Sequence, residues 1–203
     1  MTTANWCSVL IWTIAWGVTG ASLYISGVFN SPQTGPLWVA LAGGAISWSI
    51  AGVSTFSTKS GGSTKHWKIA ILVIWALAYL ASVTLGGLIL NSSALSDTIM
   101  GLLIACIGWS AGAALGAFMS IRLAGDGSML RRSNIVAGIW TLGFFTGSFI
   151  SLVVAFLAAE LAKIYIGFLI GVPAALILGF GFGCALGGFV ASAIAITLTR
   201  AWK

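Results

Sequence analysis

The chain has 203 residues, of which 59% are apolar and only 6% are charged, and its mean hydropathy is +1.09. Soluble domains carry about 25% charged residues, so this composition excludes a water-soluble globular fold. The net charge of +6 does not indicate nucleic-acid binding, because the basic residues lie between apolar segments and form no basic face. The sequence predicts an all-α integral membrane protein with a single domain over 1–203.

Apolar segments long enough to cross a hydrocarbon core of about 30 Å recur six times. The start of the chain lacks the positively charged region of a cleavable signal, so the first segment is predicted to be a retained span. The predicted helices cover 6–27, 37–56, 67–90, 97–121, 133–159 and 164–198. Segments rich in Gly, Pro, Ser and Asn separate the first four, at 30–36, 57–63 and 91–93, and a similar segment at 125–128 precedes the fifth.

The last two predicted helices are divided by a short charged segment. Glu160 and Lys163 are expected to form an ion pair at the membrane interface, between the ends of these helices. The sixth segment is longer than a bilayer requires, so it should tilt, bend or project. Pro173 predicts a bend within it, because proline removes a main-chain donor.

The distribution of basic residues predicts the orientation. Eight of the nine Lys and Arg residues follow the second, fourth and sixth helices, and only Lys163 lies on the opposite side. Lys and Arg collect in cytoplasmic loops. Both termini are therefore predicted to be cytoplasmic, which requires an even number of helices, and the predicted location is a bacterial cytoplasmic or derived membrane.

A hairpin repeat is visible in the sequence. An Ile-Trp pair marks the first helix of each pair of helices, at Trp12, Trp75 and Trp140. The three hairpins cover about 6–57, 67–121 and 133–199. Three such units are expected to close around a pseudo-threefold axis, in the manner of the internal repeats of transporters.

Small residues recur at four-residue spacing on the second helix of each hairpin. This spacing leaves a groove in which another helix can approach to backbone distance within lipid. The predicted helix-packing glycines are Gly44, Gly52, Gly108, Gly112, Gly116, Gly179, Gly183 and Gly187.

Several tryptophans lie deep in the predicted helices, where an indole N–H needs a partner. One interpretation makes them bulky packing residues beside glycines, each bonded to a carbonyl oxygen or a serine. The alternative is that they contact a lipid or a flat apolar ligand such as a quinone, carotenoid, chlorin or sterol. The candidates for this contact are Trp16, Trp48, Trp75, Trp109 and Trp140.

Reactive groups are scarce. The three acidic residues fall at helix ends or in loops, so no carboxylate is expected at membrane depth, where transport and proton relays place them. His66 is the single histidine, which is a weak candidate for a pigment ligand and cannot form a zinc site alone. The buried serines have no base within reach. The sequence therefore predicts a protein that is not an enzyme and holds no metal.

Two functions remain open. The first is a non-catalytic membrane subunit that packs within a larger complex. We expect this complex to be energy-converting or to carry pigment or quinone. The expected partners of the subunit are bound lipid and either other membrane subunits or further copies of itself. The alternative is a membrane-embedded component that binds or transports a small solute. No certain cofactor and no nucleic-acid partner are predicted.

Overall fold

The computed structural model describes residues 2–27, 36–56, 65–90, 99–124 and 132–201. All regular secondary structure in these ranges is helical, and the six helices are α1 (Thr3–Ile25), α2 (Leu37–Phe56), α3 (Lys65–Leu90), α4 (Ile99–Ala124), α5 (Ser133–Ile170) and α6 (Val172–Ala201). Each is long and apolar enough to cross a membrane. This confirms the predicted all-α fold with six helices of membrane-spanning length. The turns predicted before α2, α3, α4 and α5 lie almost entirely outside the described residues.

The helices form a closed ring. Each helix packs against its neighbours along the chain, and α6 returns to pack against α1. Successive helices are antiparallel, because they are long and the connections between them are short. One face of every helix therefore points to a common axis, and the opposite face carries exposed apolar residues such as Ile14, Ile46 and Leu142.

The break between the last two helices is not where the sequence indicated. Helix α5 continues through Glu160 and Lys163 to Ile170, so the prediction of a break at these charges is wrong. Glutamate and lysine are good helix formers, and the two side chains form an exposed ion pair one turn apart at 3.1 Å. The charges therefore lie on the surface of a continuous helix.

The chain turns at Gly171 instead. Its φ of 85° and ψ of 142° belong to a region that only glycine adopts readily. Pro173 follows in the first turn of α6, where its missing N–H has no helical acceptor in any case. The predicted bend at Pro173 is therefore wrong, because this proline starts a helix and does not interrupt one.

Hydroxyl groups join neighbouring helices through main-chain oxygens. Tyr79 donates to Ala40 at 2.8 Å and Ser49 donates to Leu72 at 2.9 Å, so two bonds tie α2 to α3. Equivalent bonds to main-chain oxygens run from Ser82 to Trp109 (α3 to α4, 3.0 Å) and from Ser151 to Cys184 (α5 to α6, 3.3 Å). In a membrane each bond of this kind contributes about 0.6 kcal/mol on average.

Candidate functional site

Aromatic side chains fill the axis of the ring near the end that carries the start of α1. The rings of Trp12, Trp75 and Trp140 form a triangle, with centroids 4.9, 5.6 and 5.7 Å apart. These are the tryptophans of the three Ile-Trp pairs, and each is at most 1% exposed. The rings of Trp16, Trp48, Phe56, Tyr79 and Phe144 pack around them. We call these eight residues the aromatic plug.

Glycines make room for the plug. A Cβ at Gly52 would overlap the indole of Trp75, and a Cβ at Gly188 would lie within 2.8 Å of the indole of Trp16. A methyl group at Gly44 would overlap the ring of Tyr79. Bulky rings and glycines on facing helices are therefore complementary, and the rings close this end of the axis.

A cavity lies on the axis beyond the plug, toward the end where α5 meets α6. All six helices contribute to its wall, which consists of Trp16, Thr19, Gly20, Leu23, Trp48, Tyr79, Ser82, Val83, Trp109, Ser148, Ser151, Leu152, Phe180 and Cys184. Its volume is about 40 Å³, and a cavity of about 10–15 Å³ is already enough for one water. The cavity therefore has room for a small molecule.

The surface that the cavity presents is apolar although several lining residues have polar groups. The hydroxyls of Ser82 and Ser151 are turned to main-chain oxygens of neighbouring helices. The hydroxyl of Thr19 donates to the main-chain oxygen of Ala15 in its own helix at 2.8 Å. These groups are used in packing, so the cavity offers mainly carbon atoms to an occupant.

Most indole N–H groups of the plug lack the expected acceptor. Only Trp12 has one, the hydroxyl of Thr55 at 2.9 Å. Within the described part of the chain, four buried indole N–H groups of the plug have no hydrogen-bond partner, those of Trp16, Trp48, Trp75 and Trp140. Outside the plug, the same holds for the N–H of Trp67 near the start of α3 and for the Ser148 hydroxyl. The interpretation that each deep indole bonds to a carbonyl or a serine is therefore wrong for these four plug residues. Their neighbours are other rings, and the main-chain oxygens around them are engaged within helices.

The five tryptophans singled out in the sequence fall into two groups. Trp16, Trp48 and Trp109 line the cavity, the first two as the plug residues that face it, whereas Trp75 and Trp140 belong to the plug and do not line the cavity. The cavity was not predictable from residue spacing, because it depends on how rings from six helices fill the axis. Of its other lining residues, Leu152, Phe180 and Cys184 were not singled out, and no local pattern distinguishes them from ordinary packing residues.

All of the predicted helix-packing glycines, including Gly108, are buried. On α4, a Cβ at Gly112 would overlap the Ser82 hydroxyl, and one at Gly116 would meet the ring of Trp75 at 3.0 Å. On α6, Gly179 and Gly183 lie against the backbone of α5. Gly187 also faces α5, and a methyl group there would meet the Ser151 nitrogen at 2.9 Å.

The remaining residues with reactive side chains are one histidine and three cysteines. His66 is exposed in the first turn of α3, near the plug end of the ring. Cys184 lines the cavity as a free thiol, whereas the other two cysteines do not. Among the described residues, no group of three or more His, Cys, Asp or Glu side chains is placed to hold a metal ion.

These features define a class: an all-helical protein in which a ring of six helices, each long and apolar enough to cross a membrane, encloses an aromatic plug and a small apolar cavity. Comparison with known proteins finds no family model, no curated protein and no solved structure that matches the chain.

Proposed function

We propose that the protein is a membrane-embedded binding component that holds a small, mainly apolar molecule on the axis of its helix ring. The observation that carries this proposal is the cavity, which has an apolar wall contributed by all six helices. An apolar cavity of this kind stays dry and takes up small hydrocarbons, because water needs two to four polar partners.

The size of the cavity discriminates among the ligands that the sequence left open. A cavity of about 40 Å³ accommodates one small ring or the end of a chain. A chlorin or a carotenoid would require the ring of helices to open. The proposal therefore favours a small solute, or one ring of a quinone, over these pigments.

The aromatic plug favours a ligand-binding function over conduction through a channel. A channel needs a continuous path, and hydrophobic pores conduct only when they are wide enough to hold water. Here Trp12, Trp75 and Trp140 are in mutual contact across the axis. The cavity therefore ends at the plug, and release toward that side would require these rings to separate.

We infer that the plug end of the ring faces the cytoplasm. The exposed basic side chains Lys68, Arg122 and Arg132 lie at this end, whereas Lys163 lies toward the other. Lys and Arg collect on the cytoplasmic side. The start of α1 and the end of α6 are then cytoplasmic, and the cavity lies in the half of the ring that faces away from the cytoplasm.

We also propose that the ring consists of three equivalent hairpins, α1–α2, α3–α4 and α5–α6. The triangle of Trp12, Trp75 and Trp140 supports this, because each ring comes from the first helix of one hairpin and occupies the same place on the axis. The closed order of the helices is consistent with a pseudo-threefold arrangement.

A second candidate function is a non-catalytic subunit of a larger membrane complex. It is favoured by the hairpin tip, which we define as residues 164–172 at the junction of α5 and α6. Helix α5 is about 57 Å long, roughly twice the thickness of a hydrocarbon core. Its ion pair at Glu160 and Lys163 lies about 40 Å along the helix from Ser133, so the tip extends past the interface. Phe168 there is 80% exposed, which suits contact with another protein.

Ligand binding is tested with 4-fluorotoluene as the probe, observed by ¹⁹F NMR with the protein in lipid nanodiscs. We expect a bound resonance that is absent from protein-free nanodiscs. Leu152→Trp, which fills the cavity, should remove this resonance, whereas Leu142→Trp on the lipid-facing side of the same helix should retain it. If the wild-type protein gives the same spectrum as protein-free nanodiscs, the binding proposal is wrong.

Native mass spectrometry after extraction in mild detergent separates the two candidate functions. A bound apolar molecule of low mass supports the first, and co-purifying subunits support the second. A bare single chain contradicts the second candidate.

A further inference from the structure

We propose that the ligand of the cavity carries a neutral hydrogen-bond acceptor, such as a ring-conjugated carbonyl oxygen. This inference rests on the proposed binding function and specifies the chemistry of the molecule that is bound. It follows from three residues of the cavity wall that have buried polar atoms without a hydrogen-bond partner.

Three lining residues have buried polar atoms without a partner among the described residues. They are Nε1 of Trp16, Nε1 of Trp48 and Oγ of Ser148. Trp16 and Trp48 come from neighbouring helices, and their rings stack with centroids 6.2 Å apart and an angle of 22° between their planes. Both pack edge-on against Phe144, with centroids 5.2 Å away in each case, and Ser148 follows Phe144 one turn later on α5. The three residues therefore belong to one small region of the wall.

Their chemistry specifies what is missing. An indole N–H is a donor only, and a hydroxyl also has a hydrogen to donate. A buried donor that remains unpaired raises the free energy of the protein by about 1–3 kcal/mol. An acceptor supplied by a ligand removes this penalty. A ligand that offers only further donors would leave both indoles unpaired.

The acceptor is expected to be neutral. A charged group at membrane depth is costly unless it is paired, and the described residues of the wall include no Lys, Arg or His. A carbonyl or ether oxygen can accept from an indole without that cost. Together with the size limit, this points to a one-ring ketone, aldehyde or quinone.

The geometry also requires a small movement. The cavity surface consists of carbon atoms, so the buried indole N–H groups do not face the cavity. An acceptor in the cavity can pair with one of them only after that indole tilts toward the axis.

Two probes of the same shape test the inference. 4-Fluoroacetophenone has a carbonyl group where 4-fluoro-α-methylstyrene has a methylene group, so they differ at the acceptor alone. Their affinities are measured by ¹⁹F NMR titration of the protein in nanodiscs, with partitioning into lipid subtracted by use of protein-free nanodiscs. We expect the ketone to bind about 3- to 10-fold more tightly than the hydrocarbon, the range that one neutral hydrogen bond provides.

Variants locate the donor. Trp48→Phe and Trp16→Phe keep one aromatic ring and remove the N–H together with the second fused ring, and Ser148→Ala removes the hydroxyl. At least one of them should reduce the ketone preference to less than about 2-fold. The ratio of the two affinities within one variant is the readout, because a change in cavity volume acts on both probes alike. Trp109→Phe makes the same change at a lining indole whose N–H is not among the buried unpaired donors, and it serves as the matched control.

Failure of the acceptor inference can be distinguished from failure of the proposed binding function. If the wild-type protein binds both probes equally, the cavity binds apolar molecules but the acceptor inference is wrong. If it binds neither probe, the proposed binding function is wrong as well. The comparison within the wild-type protein does not depend on whether any variant folds.

Discussion

Replacing Gly183 with alanine tests the close approach of α5 and α6. A Cβ at this position would lie 2.5 Å from the backbone nitrogen of Ala155 and 2.8 Å from the carbonyl carbon of Val154. Backbone atoms cannot turn aside as a flexible side chain can, so the helices must separate locally by about 1 Å to restore ordinary contact. Gly138 lies on α5 and provides a control, because a Cβ there would meet nothing within 4 Å.

The expected magnitude follows from two opposing terms. Overpacking a tight contact costs about 1–3 kcal/mol, and here the neighbouring atoms belong to the main chain, which favours the upper part of that range. Alanine is a better helix former than glycine by up to about 1 kcal/mol. The net effect of Gly183→Ala should be a loss of about 2 kcal/mol, whereas Gly138→Ala should be neutral or slightly stabilising.

Unfolding in mixed detergent micelles measures this difference. With increasing mole fraction of sodium dodecyl sulfate, helicity and tryptophan fluorescence should change at a lower fraction for Gly183→Ala than for wild type. A loss of about 2 kcal/mol corresponds to roughly a 30-fold change in the unfolding equilibrium. If both alanine variants unfold together with wild type, the two backbones are not in contact at Gly183.

Three further predictions concern the core, the ring and the length of α5. Tyr79→Phe removes a hydrogen bond to the main chain of α2 and should lower the free energy of unfolding by about 0.6 kcal/mol, whereas Tyr165→Phe at the exposed tip should change it little. The same detergent titration compares the two variants, and equal midpoints would contradict the bond. Gly52→Ala should destabilise the protein strongly and be partly rescued by Trp75→Leu, so a double-mutant cycle with no coupling energy would refute their contact. Ala162→Pro should cost about 3 kcal/mol because α5 is continuous there, and unchanged stability would instead support a break at that point.

Much of the fold was accessible from the sequence because lipid restricts the choices. Only helices satisfy the main chain of an isolated segment in a bilayer, so apolar length predicts helices and glycine spacing predicts their packing faces. The Ile-Trp pairs also indicated equivalent positions for Trp12, Trp75 and Trp140, which meet on the axis. These signals are local, and each can be read within one or two turns of helix.

The errors arose where a local signal had two physical meanings. Glu160 and Lys163 suggested an interface and therefore a break, but the same two residues are compatible with the surface of a helix. The glycine at 171, followed by Pro173, is the stronger stop signal, yet it was hidden inside an apolar segment. The unpaired indoles and the cavity depend on side chains from several helices at once, so no pattern within one helix indicates them.

The return of α6 to α1 has a consequence for biogenesis. Helices enter the bilayer in the order of their synthesis, and each hairpin can pair as it leaves the translocon. The inner face of α1, with Trp16 against Gly188 and the Val9 main-chain oxygen near Ser192 at 3.5 Å, receives its partner only after α6 has been made. Until then this face is open to lipid or to a chaperone, so assembly intermediates that stall before the last helix should be recognised and degraded through α1.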